Sequence, residues 1–129
     1  MSKESIENNI IKNNFLNTAL LKALPDSLFV FSKDGYLLDY HIPDNIPRFV
    51  DFDKLLKKNI REMQFNESVK QRLLSSISNS FETKEVQTIE FSFQVDEKSL
   101  YFESRLISIS DNEVLIIERN ITEDRKSVV

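Results

Sequence analysis

The chain has 129 residues, 40% hydrophobic and 29% charged, which suits one folded domain with its own core and is too apolar for a wholly disordered chain. The net charge is −4, and lysines and arginines are interleaved with acids, so there is no phosphate-binding footprint and no nucleic-acid partner is expected. The absence of cysteine excludes disulfides, thiolate metal sites and cysteine nucleophiles.

From the amino terminus, Ile6, Ile10, Ile11, Phe15, Leu16, Leu20, Leu21 and Leu24 recur at steps of three to five residues, the spacing of an amphipathic helix. Pro25-Asp26-Ser27 is expected to end it. Leu28 to Phe31 and Tyr36 to Tyr40 are β-prone runs around Asp34-Gly35 and predict a hairpin. Gly35 is the sole glycine and stands where a turn needs positive φ. From His41 to Glu67, Pro43 and Pro47 interrupt the pattern and short helical turns are expected. Asn66 to Phe81 restores a helical period through Val69, Leu73, Leu74, Ile77 and Phe81, with Asn66 as the N-cap.

The last third changes period. Ile89, Phe91, Phe93 and Val95 alternate with polar residues, and two more strands are expected over Leu100 to Ile109 and Val114 to Ile121. The predicted class is α+β, a five-stranded antiparallel sheet with helices packed on one face and an N-terminal amphipathic helix. No apolar run reaches membrane-spanning length and Met1 to Asn9 lacks the design of a signal peptide, so a cytoplasmic domain without membrane contact is expected.

Three segments, in order, resemble the PAS family. Ala23 to Tyr36 is similar to its opening, a leucine-proline-aspartate turn followed by a strand, an Asp-Gly turn and a second strand. Lys58-Asn59-Ile60-Arg61-Glu62-Met63 resembles its middle region. Arg119-Asn120-Ile121-Thr122-Glu123-Asp124-Arg125-Lys126 resembles its closing signature, with Asn120 in place of the usual aspartate; asparagine can hydrogen-bond there but cannot form an ion pair. The resemblance spans Leu21 to Lys126. It implies residues 1–22 as a capping or dimerising helix, 23–122 as the PAS domain and 123–129 as the start of a linker.

What the resemblance implies is a sensory or regulatory module in signal transduction. It would sense a small molecule or relay a cue to an effector such as a histidine kinase of a two-component system or a cyclic-dinucleotide enzyme. The domain itself would be non-catalytic. The alternative is a ligand-free dimerisation or docking module. Homodimerisation is expected through Ile6, Ile10 and Leu16, and signal transfer through Asn120, Ile121 and Thr122. A ligand would lie between sheet and long helix, against Phe91, Phe93, Tyr101, Phe102, Arg105, Leu73 and Ile77; the ten phenylalanines of so small a domain favour the other reading, in which the same residues form a closed core. Glu103 and Arg105 share one sheet face: on a solvated face they form a surface ion pair, and on a cavity face Arg105 anchors a carboxylate or phosphate. The cofactor, if any, is unspecified. Cysteine-dependent flavin or cinnamoyl chemistry has no sulfur to use, and haem is not expected because the long helix has no histidine and His41 lies elsewhere. With one histidine and no cysteine, no metal or catalytic site is expected.

Overall fold

A computed structural model describes residues 25–44 and 51–123. The expected leading helix, with Ile6, Ile10 and Leu16, and the tail beyond Glu123 lie outside the described residues. The elements run β1 (Ser27–Ser32), β2 (Leu37–His41), α1 (Phe52–Leu55), a 3-10 turn (Ile60–Glu62), α2 (Glu67–Thr83), β3 (Gln87–Val95), β4 (Lys98–Ser108) and β5 (Glu113–Asn120). The strands form one antiparallel sheet in the order β2-β1-β5-β4-β3. The first and last strands in the chain therefore pair at its centre, and α2 packs on β3 and β4.

The hairpin turns at Gly35, whose φ is +95°. A Cβ there would lie 3.2 Å from Leu74 Cδ2, so both backbone and space favour glycine. Lys58 to Ile60 runs alongside this turn: Leu37 N donates to Lys58 O and Ile60 N to Gly35 O. Asn59 holds the corner with a capping box and with Nδ2 donating to Asp34 O at 2.9 Å. Asn66 caps α2 as expected, its Oδ1 accepting from Val69 N at 2.8 Å. At the other end Lys84 takes a left-handed conformation, φ 60°, the usual way for a helix to stop.

Strand alternation sorts the sheet into two faces. The face toward α2 carries Phe29 and Phe31 of β1, Leu106 of β4, and Val114 and Ile116 of β5, all buried. With Leu37, Ile60, Met63, Val69, Leu73, Ile77 and Phe81 they make the core. Leu106, Val114 and Ile60 are entirely inaccessible, and burying such side chains stabilises the fold by about 1.5–3 kcal/mol each. The outer face keeps apolar residues exposed at Tyr101 and Ile107.

Candidate functional site

The inner face is uniform in neither chemistry nor closure. In cross-strand rows, Phe29, Ile116 and Leu106 form one apolar row. The next row along the strands is Ser27, Glu118 and Ser104, consecutive partners on β1, β5 and β4. Beyond it Phe102 pairs with Phe91, and then Leu100 with Phe93. This polar belt spans β1, β5 and β4 between the closed core and an aromatic group, and on β3 the row ends in Ile89, the partner of Ser104.

That aromatic group is a connected cluster. Phe91 and Phe102 stack at 5.8 Å between centroids, Phe93 meets Phe91 edge-on at 5.2 Å and Phe102 at 5.8 Å, and Phe65 stacks on Phe93 at 6.0 Å. These are favourable aromatic geometries, yet all four rings are only half-buried.

The belt holds unused hydrogen-bonding capacity. Ser104 is 1% exposed and its Oγ has no hydrogen-bond partner among the described residues. A buried hydroxyl in that state costs free energy until something bonds to it. Glu118 is half-buried, and burial pushes its carboxyl up to about 7. The guanidinium groups on β5 and β4 beside Glu118 are turned away. Arg119 follows Glu118 on the strand, so it projects to the outer face, where it meets Asp26 at 3.4 Å; Arg105, also on the outer face, is held by Glu103 at 3.0 Å.

The expected ligand residues therefore divide. Phe91, Phe93 and Phe102 gather on the inner face. Leu73 and Ile77 lie on the buried face of α2 and belong to the closed core. Tyr101 and Arg105 belong to the opposite face and are corrections: neighbours along a strand point to opposite sides, and Phe102, Ser104 and Leu106 take the inner one. Arg105 is the exposed partner of a surface ion pair, so of its two fates the solvated one holds.

Glu118, Ser104 and Phe65 were not singled out by sequence reasoning. The phase of Val114 and Ile116 runs on to Glu118, but Leu115 and Ile117 fit the opposite phase equally well, so the inward direction was not fixed. His41, from β2, pairs with Leu28 in the outward phase; its Nε2 is buried without a hydrogen-bond partner among the described residues. No group of three or more metal-ligating side chains occurs among the described residues.

Asn120, Ile121 and Thr122 form a compact clasp where β5 ends. Asn120 Oδ1 accepts from Thr122 N at 3.0 Å and from Thr122 Oγ1 at 2.6 Å, while Thr122 Oγ1 accepts from Tyr101 N at 3.0 Å. Ile121 N donates to Tyr101 O at 2.8 Å. The asparagine thus bonds within its own turn and fastens the exit of β5 to β4. No described helix is long and apolar enough to cross a membrane.

No known family profile matches the chain, and no curated protein does. Solved structures do match its fold. A PAS domain of an HTR-like protein from Haloarcula marismortui superimposes with a TM-score of 0.64 at 21% identity, over 92% of this chain and 100% of that one. A domain of a sensory box sensor histidine kinase/response regulator from Geobacter sulfurreducens gives 0.63 at 16%, over 85% and 96%. The PAS domain of the quorum-sensing receptor RpfR from Cronobacter turicensis, in complex with BDSF, gives 0.60 at 7%, over 76% and 95%. With its five-stranded antiparallel sheet in the order 2-1-5-4-3 and its long helix on one face, the chain has the PAS fold.

Proposed function

We propose that this chain is a sensory PAS module that takes up a small molecule on the inner sheet face and relays its presence to an effector such as a histidine kinase or a cyclic-dinucleotide enzyme. The observation that carries the reading is the half-buried phenylalanine cluster beside the Ser27-Glu118-Ser104 belt, where the Ser104 hydroxyl is buried without a partner. Apolar walls with a few convergent polar groups are the common composition of small-molecule sites. The likeness to a PAS domain in complex with BDSF is consistent with a ligand on this fold.

In this reading the module performs no chemistry of its own. Ligand binding biases two packings of the sheet, and the change leaves through the Asn120-Ile121-Thr122 clasp, which joins β4, a wall of the site, to the chain that follows. The second reading is a ligand-free docking or dimerisation module. It is favoured by the exposed Tyr101, Ile107 and Ile109.

Native mass spectrometry of the whole chain, compared with denaturing spectra, separates the two. Additional mass lost on denaturation, and reduced in a Phe91→Ala, Phe102→Ala variant, is the expected result. A bare dimer that takes up no small molecule from a metabolite extract overturns the sensory reading in favour of docking.

A further inference from the structure

Resting on the sensory reading, a narrower conclusion concerns the class of ligand. We infer that the Ser27-Glu118-Ser104 belt receives the ammonium head of a small amine whose apolar or aromatic body lies on Phe65, Phe91, Phe93 and Phe102.

Three observations converge on a cation. First, the belt offers one carboxyl and two hydroxyls on three adjacent strands. An ammonium has three donors and no acceptor, and carboxylate and hydroxyl oxygens all accept. Ser104 Oγ, buried and unbonded, supplies one of the acceptors. Second, the arginines on the strands beside the belt and three further described cations are engaged elsewhere: Arg119 with Asp26, Arg105 with Glu103, Lys70 with Glu67 and Arg61 O, Arg72 with Glu90 O, and Lys33 over the Phe81 ring at 5.5 Å. An anionic ligand would oppose ionisation of the Glu118 carboxyl, whereas an amine pairs with its carboxylate form. Third, Phe102 and Glu118 are diagonal neighbours across β4 and β5, about 7–8 Å apart in such a ladder. A head group at Glu118 is therefore within reach of ring faces that attract cations.

Binding is coupled to a proton. The protonated carboxyl of Glu118 releases its proton to solvent, and the resulting carboxylate pairs with the incoming ammonium; no other bond changes. The carboxyl's raised affinity for its proton makes that release visible near neutral pH.

Isothermal titration calorimetry on the whole chain, at about pH 6.5 in two buffers of different ionisation enthalpy, tests this with 2-phenylethylamine, 2-phenylethanol and phenylacetate as probes. The amine is expected to bind at least about tenfold more tightly than the alcohol, as one charge-assisted contact implies, and to release protons. Phenylacetate is expected not to bind. Glu118→Gln abolishes the preference for the amine while the alcohol binds it unchanged, and Ser104→Ala reduces amine affinity by a smaller factor. An alcohol that binds as tightly as the amine, or an amine preference that survives Glu118→Gln, overturns the amine assignment and leaves the sensory reading standing. Failure of all three probes to bind also overturns it, and the native mass comparison then decides the sensory reading independently.

Discussion

The sealed core and the aromatic cluster meet on β4, which gives Leu106 to one and Phe102 to the other, and they differ in almost everything else. At one end Leu37, Ile60, Ile77, Leu106 and Val114 are sealed from solvent. At the other, Phe65, Phe91, Phe93 and Phe102 touch one another and remain half-buried, with a carboxyl and an unpaired hydroxyl at their edge. Close packing accounts for the first end, because interior atoms gain dispersion contacts wherever no void is left. The second end withholds the same optimisation. Along β4 the sealed Leu106 and the half-buried Phe102 lie four residues apart, so each end can be altered without the other.

The largest test of this separation compares truncations. Ile77→Ala removes a sealed side chain from the middle of α2 and should cost about 3–4 kcal/mol, within the range for buried aliphatic truncation. Phe93→Ala deletes more atoms but should cost only about 1–2 kcal/mol, because its ring is already half in water and gives up less transfer energy. Urea denaturation midpoints measure both. Equal losses would show that the aromatic end is as closed as the core and would end the distinction.

The polar belt gives the next test, and its sign is fixed by which state holds the proton. An unfolded Glu118 carboxyl loses its proton near 4.5, and the folded one keeps it up to about 7. Between those values the folded chain binds more protons than the unfolded chain, so stability falls as pH rises through the window and levels off above it. Glu118→Gln resembles the protonated acid at every pH. It should match the parent below about pH 4.5 and exceed it by about 3 kcal/mol above pH 7. Thermal or urea unfolding across pH reads the difference, and parallel curves for parent and variant would mean that the carboxyl is solvated in the folded state.

Most of the fold was legible in the sequence. Asn66 capping a periodic run, Asp34-Gly35 between β-prone runs and the alternation from Ile89 to Val95 each name an element, and the structure has those elements, with the helix running on to Thr83 and the strand starting at Gln87. β4 begins at Lys98 instead of Leu100 because a tight turn at Asp96, with φ 51°, lets Val95 and Lys98 pair directly. The site was less legible, and the reason lies in β4 and β5. Both carry apolar residues in both phases: Tyr101 beside Phe102, Leu106 beside Ile107, and Val114 to Ile117 without a break. A strand at the centre of a sheet, with neighbours on both sides, can carry such a run, so alternation alone does not choose the inward face. The orientation follows from pairing: β5 against β1 puts Phe29 and Phe31 opposite Ile116 and Val114, and only then do Glu118 and Ser104 turn inward and Tyr101 and Arg105 outward.

The clasp at the end of β5 carries a smaller effect. Thr122→Val keeps shape and removes the acceptor for Tyr101 N and the donor to Asn120 Oδ1, which should cost about 1–2 kcal/mol for a part-buried backbone donor left unpaired. If the clasp transmits the signal, the same variant in a protein with an attached effector uncouples output from ligand while probe affinity is unchanged. Affinity falling in step with output would instead place Thr122 in the structure of the site.

The smallest effect is expected on the outer face. Arg105 and Glu103 form an exposed pair, and Arg105→Ala should change stability by no more than about 0.5 kcal/mol, as is usual for ion pairs in water. Because Arg105 projects away from the belt, the substitution should also leave probe binding at Glu118 unchanged. Salt provides a control: raising ionic strength should weaken the Arg105-Glu103 pair while the pH dependence contributed by half-buried Glu118 changes little. Were Arg105→Ala to reduce affinity for phenylacetate or any other anionic probe, the outer face would hold a second site, and the contrast between the two ends of the inner face would no longer account for all recognition by the domain.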